Sequence, residues 1–350
     1  MFYKFPAMKG IQATNEYFVC MIPLGVLSKI FIDESADTLP EFRAQRKLNE
    51  TRIPEIRDYI LTKRDSYVFS ALAASFDGDM KFSSYMDSDI GAIEIDMSAS
   101  FLINDGQHRK AAIINAIEHD PTLKEETIAV VLYKDKGLAR SQQMFADLNK
   151  HAVNASKSLN TLYDFDDPIA LITKQVVDQI PFFRKYTDKE KDNLGKFASK
   201  FFTLNTLSDA TRRILKTSTN DELNCQFVLD FWSTVSQNMR EWNEMDKGDL
   251  SKKDLRENYI STQGVTIHAL GKLGCYLFQN PENDLEHCLV GLRDIDWTRS
   301  NLECWQKRAV TDAGRINRNE KGIFLTYIQI KRLLNIKIEN VELTRENQLL

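Results

Sequence analysis

Residues 101–117, FLINDGQHRKAAIINAI, set an aspartate, a glycine, an amide, an imidazole and a guanidinium in a row between two apolar segments. Asp105-Gly106 gives a tight corner that tolerates positive φ. A helix opening at Gln107 has first N–H groups without intrahelical partners and a partial positive charge, which suits an anion. Arg109 would add a forked donor matched to phosphate. His108 could donate, accept or move a proton near neutral pH, and Gln107 could read a polar edge. Gly106, Gln107, His108 and Arg109 are therefore the candidate phosphate-binding residues. An Asp-Gly turn beside an exposed arginine also occurs in ordinary surface loops, and the residues alone leave both readings open.

The elements that must hold this corner are legible around it. Strand patterns run over 17–22 (YFVCMI), 67–75 (YVFSALAAS), 90–97 (IGAIEIDM), 101–104 and 128–133 (IAVVLY). Helical periodicity covers 49–61, with Ile53, Ile56, Tyr59 and Ile60 on one face, then the segment from the motif to His119, and 138–148. Strands broken by helices, with the polar motif at a strand–helix junction, predict an α/β or α+β domain. From about Asp167 helical patterns dominate: ALITKQVVDQI, NCQFVLDFWSTVSQNMREW, VTIHALGKLGCYLF and TYIQIKRLL. The charged stretch 244–258 reads as an exposed loop or linker. The fold class is α+β, with a mixed domain over 1–165 and a mostly helical one over 166–350.

Two further constellations bear on binding. Residues 39–64 hold seven basic and four acidic side chains. Arg43, Arg46 and Lys47 share one face if their segment is helical, with Gln45 between them and Arg52 beyond. That face could grip a nucleic-acid backbone; it equally fits a solvated helix paired with Glu41, Glu50 and Glu55. Residues 145–158, with Lys150 and Lys157, either fold back over the corner or form a connecting loop ending in a helix cap at Ser156 or Ser158. Lys307, Arg308, Arg315 and Arg318 read as a solvated loop, with a second DNA contact as the alternative.

Bulk composition narrows the classes. The 350 residues are 43% hydrophobic and 27% charged, typical of a globular chain with a sizeable core. The net charge of −4 gives no global attraction to nucleic acid, so any such contact must be local. Five cysteines without a C-x-x-C pair suggest neither zinc nor a disulfide framework. No apolar run approaches a membrane span, and no signal-peptide layout opens the chain; the expected setting is cytoplasmic, with no membrane partner. No H-E-x-x-H, G-x-S-x-G or Walker A string occurs.

Asp105-Gly106-Gln107-His108-Arg109 is the string that names the DGQHR-domain proteins, and much of the first 160 residues resembles the DndB family, encoded beside the bacterial DNA phosphorothioation enzymes. The resemblance rests on FPAMKGIQ, LPEFRAQRKLNETRIPEIRDYI, YVFSALAAS, FLINDGQHRKAAI and QQMFADLNKHAVNASKSL, in that order. It implies a repressor of the phosphorothioate-modification operon that binds double-stranded DNA at its own promoter, contacts modification proteins and forms a homo-oligomer. DNA contacts are then expected from Arg43, Gln45, Arg46, Lys47, Arg52, Lys150 and Lys157. The G-x-H-R string is also similar to the phosphate box of the ParB and sulfiredoxin superfamily, which implies a ParB/sulfiredoxin-like domain and a nucleotide, ATP or CTP, at the corner. Gln107 stands where the sulfiredoxin cysteine would be, so thiol chemistry is not expected. An enzyme built this way would be an NTP hydrolase or DNA nickase using Asp105, His108 and Arg109. A third reading is an adaptor that docks through helix 227–242.

Overall fold

The computed structural model describes residues 1–31, 48–134, 143–144, 147–148, 155–216 and 222–350. The chain divides into two compact units, Met1–Val153 and Asn154–Leu350. This division lies twelve residues before the expected one. The reason is local: Ser158 donates to the Lys191 carbonyl, and the Lys157 and Ser158 amides donate to Asp192, tying residues 156–163 into the helical unit.

In the first unit, β1 (Phe2–Gln12), β2 (Asn15–Pro23), β3 (Leu72–Asp77), β4 (Met80–Ser84), β5 (Ile90–Asp96), β6 (Ser100–Asp105) and β7 (Thr127–Lys134) form one sheet. Its order is β4-β5-β1-β2-β7-β3-β6. β3 and β7 run parallel, and the other neighbours are antiparallel. Period-two alternation on β7 buries Ile128, Val130 and Leu132. They join Phe18, Ile22, Phe76, Ile93 and Ile95 in a core that helices α1 (Leu27–Ile30), α2 (Arg52–Thr62) and α3 (Gln107–His119) help close, through Ile30, Ile60, Ile113 and Ala116.

Two strands were not expected, and one expected strand starts later than its pattern suggests. β1 escapes a sequence reading because Pro6 interrupts the pattern; its pairing with β2 starts only at Ala7, so the missing N–H is tolerated. β4 is short and half polar. The strand expected over 67–75 begins only at Leu72, because the Ser70 and Ala71 carbonyls accept from Arg109 instead of a neighbouring strand. The helix expected over 138–148 lies largely outside the described residues.

The second unit is helical: α4 (Lys157–Tyr163), α5 (Pro168–Gln179), α6 (Pro181–Tyr186), α7 (Leu204–Leu215), α8 (Glu222–Asn238), α9 (Arg240–Lys247), α10 (Lys252–Asn258), α11 (Gly264–Gln279), α12 (Leu285–Leu289), α13 (Leu302–Trp305), α14 (Glu320–Leu333) and α15 (Asn340–Leu349), with two-residue strands β8 (Thr187–Asp188) and β9 (Phe202–Thr203). Ser156 and Asp167 cap α4 and α5. Aromatic rings fill the centre: Phe182 stacks on Trp242 at 4.9 Å and Trp297 on Trp305 at 5.2 Å. Gly271 permits close approach of α11 to α7, since a Cβ there would sit 2.8 Å from the Ala210 carbonyl oxygen. The expected loop 244–258 is instead the end of α9, a left-handed Gly248, and α10 capped by Ser251, with Leu255 fully buried. Helix 224–242 breaks at Met239, where the Asn243 amide donates to the Gln237 and Met239 carbonyls. Phe231, Trp232 and Val235 lie in its core, so its apolar face is not a free surface.

One buried acid carries a measurable consequence. Glu241 is 2% exposed, and burial pushes its carboxyl up to about 7 against weaker opposing hydrogen bonds from Ser261 and its own backbone. Because the folded form holds the proton more tightly, this stabilising preference is complete below the ordinary glutamate value and disappears as pH rises through 7. Glu241→Gln is expected to raise unfolding free energy near pH 8 by about 2–3 kcal/mol, with little effect near pH 5. Urea titration followed by tryptophan fluorescence, with Trp242 as neighbour, checks this; equal effects at both pH values would refute it.

Candidate anion-binding corner

β6 delivers the motif through a bulge. Ala73 pairs with Asp105 and Ala74 with Ile103, which leaves Asn104 without a cross-strand partner. Asn104 is fully buried; its amide donates to the Met144 sulfur at 3.1 Å, and its Oδ1 has no partner among the described residues. Gly106 follows at φ 98°, in the left-handed region, and begins α3. That backbone conformation calls for glycine, and a Cβ there would also have to displace the Leu72 side chain, 2.4 Å from its Cδ2.

No side chain caps α3 and its first turn holds no acid; the first backbone bond runs from the Lys110 amide to the Gly106 carbonyl at 2.9 Å. The amides of Gln107 and Arg109 therefore have no acceptor within the helix. The Gln107 Nε2 is buried and lacks an acceptor among the described residues. The His108 Nε2 accepts from the Asn49 amide at 3.0 Å. Lys110, next along, is only 3% exposed.

Arg109 turns inward. One terminal nitrogen donates to the Ser70 carbonyl at 2.6 Å, the Ser70 hydroxyl at 2.5 Å and the Ala71 carbonyl at 3.0 Å. The other pairs with Asp105 at 2.7 Å. The guanidinium thus positions the corner, locking the β6–α3 turn onto the entry of β3, rather than pointing at solvent. The i, i+4 spacing of Asp105 and Arg109 is the sequence signal for this pairing. Asn49, Ser70, Asn104 and Lys110 carry no such signal and were not expected at the corner.

The corner can hold an oxygen-rich anion through uncapped amides and the Gln107 amide. Of the other expected residues, Arg52 is exposed in the first turn of α2, and α2 packs on α3, where Arg57 donates to Asn115 at 3.3 Å. Lys157 is exposed at the start of α4 and belongs to the second unit. Arg43, Gln45, Arg46, Lys47 and Lys150 lie outside the described residues. Arg315 and Arg318 are exposed, and Arg308 is half-buried. Among the described residues, no group of three or more histidine, cysteine, aspartate or glutamate side chains is placed to hold a metal ion, and no helix is long and apolar enough to cross a membrane.

Fold and corner together define a two-unit α+β protein: a mixed sheet carrying a strand–glycine–helix corner, then a helical unit. The DndB family, described as DNA-sulfur modification-associated, matches residues 5–337, and the chain belongs to that family. Its membership ties the chain to DNA phosphorothioation systems. No curated protein and no solved structure matches it.

Proposed function

We propose that this chain is a DNA-binding repressor of a phosphorothioate-modification operon, acting as a homo-oligomer on double-stranded DNA at its own promoter. The observation that carries this reading is the hydrogen bond from the Asn49 amide to His108. Asn49 lies two residues after the basic run Arg43–Lys47 and three before exposed Arg52. Basic side chains such as these, together with helix N-terminal amides, are the groups that grip backbone phosphates.

Gel shifts at moderate salt test it. The promoter of the chain's own operon is expected to bind in preference to random duplex. Replacing Arg43, Arg46 and Lys47 together with glutamine is expected to flatten the salt dependence by about 0.9 log units per lost phosphate contact. Equal affinity for random DNA would remove the repressor reading.

A second reading is that the corner binds ATP or CTP, as a switch on DNA affinity or in an NTP hydrolase or nickase. The acceptor-poor cluster of Gln107 Nε2 and uncapped amides favours it. Labelled nucleotide binding, with Gln107→Ala as control, separates the two. Docking onto the modification proteins is a compatible adaptor role.

A further inference from the structure

A cavity of about 590 Å³ opens between α7, α11, α14 and α15 of the helical unit. That is within the ~300–1,000 Å³ range of small-molecule sites. Its charges do not balance. Glu342 is held by Lys331 at 2.8 Å, Glu339 by Lys337 at 2.9 Å, and Glu320 beside the cavity by both terminal nitrogens of Arg213. Lys216, Lys272 and Arg345 line the same cavity and have no carboxylate partner among the described residues. Among the described residues, three positive charges line the cavity without a carboxylate in ion-pair contact.

Lys272 is the most telling of them. It is half-buried on α11, and burial together with the charges of Arg213 and Arg345 holds its ammonium below the usual lysine range, against a weaker pull from Glu320. A desolvated ammonium facing other cations is unfavourable unless an anion joins it. Arg345 lies over the Phe324 ring at 4.6 Å, which orients its guanidinium at the cavity rim. Tyr276, Cys275 and Phe324 supply an apolar wall.

We propose that this cavity binds a nucleotide-sized phosphate ester, its phosphate held by Lys272 and Arg345 and its flat apolar part against Tyr276. The site is separate from the corner in the first unit and stands whether or not the repressor reading does.

The test uses the full chain and a panel of nucleoside 5′-mono- and triphosphates, with inorganic phosphate and adenosine as controls, followed by calorimetry. At least one nucleotide is expected to bind, while adenosine does not. Lys272→Gln and Arg345→Gln are each expected to weaken binding about tenfold or more. Arg345 is exposed, so its variant probes the cavity without threatening the fold. The proposal is overturned if no nucleotide binds at about 1 mM. It also fails if both cavity variants bind like the parent chain, if binding is lost with Gln107→Ala, or if inorganic phosphate binds as tightly as the esters.

Discussion

Glu342→Ala is expected to lower the unfolding free energy of the helical unit by about 3–5 kcal/mol. Lys331, in the last turn of α14, has a fully buried side chain. Its ammonium sits 2.8 Å from Glu342 and 3.6 Å above the Tyr276 ring. The Tyr327 hydroxyl donates to the other Glu342 oxygen at 2.5 Å. Removing the carboxylate strands an ammonium in an apolar setting and frees a buried hydroxyl. The paired change is milder: Lys331→Met combined with Glu342→Leu is expected to cost about 1–3 kcal/mol, because no charge is left unmatched and only the Tyr327 hydroxyl loses its acceptor. The Glu342 carboxyl is raised by burial, but hydrogen bonds from Lys331 and Tyr327 outweigh this and hold it below its ordinary value. Its contribution is therefore present above that ordinary value and lost as pH falls through the lowered one. Urea unfolding followed by tryptophan fluorescence reads the effect, and a single variant as stable as the double one would refute it.

Arg109→Met is expected to destabilise the first unit by about 2–3 kcal/mol without any ligand present. An arginine whose only task is to meet an anion from solvent could be replaced within about 0.5 kcal/mol. Arg109 instead joins Asp105, Ser70 and Ala71, and its side chain is 18% exposed. Arg109→Lys is expected to recover less than half of the loss, since a point ammonium cannot span carboxylate and carbonyls as a planar fork does. All four tryptophans, 232, 242, 297 and 305, lie in the helical unit, so fluorescence is blind to this change. Hydrogen exchange over residues 100–119 is the suitable measure. Unchanged protection there would show that the clamp contributes nothing.

The same residues show how far sequence reading reaches. The strand, the glycine turn and the helix are legible because each rests on local rules: alternation on β6, positive φ at Gly106, 3.6-residue periodicity in α3. The direction of the Arg109 side chain is not local. It depends on Ser70 and Ala71, some 39 residues earlier, whose carbonyls become available only when β3 starts late. Asn49 meeting His108 is likewise a contact across 59 residues, with no periodic trace. In the helical unit the long apolar helices are plain in the sequence, but α10 is not. Its charged residues mask a single buried Leu255, and only the left-handed Gly248 and the Ser251 cap betray it.

The strand order of the sheet bears on how the chain is made. β1 and β2 pair with each other early, but the outer partner of β1 is β5 and that of β2 is β7, which ends at Lys134. During synthesis this N-terminal hairpin, with Phe5, Phe18, Cys20 and Ile22 on its apolar face, must wait for more than a hundred further residues to leave the ribosome. Such long-range closure folds slowly and leaves unpaired edges open to other chains in the interval.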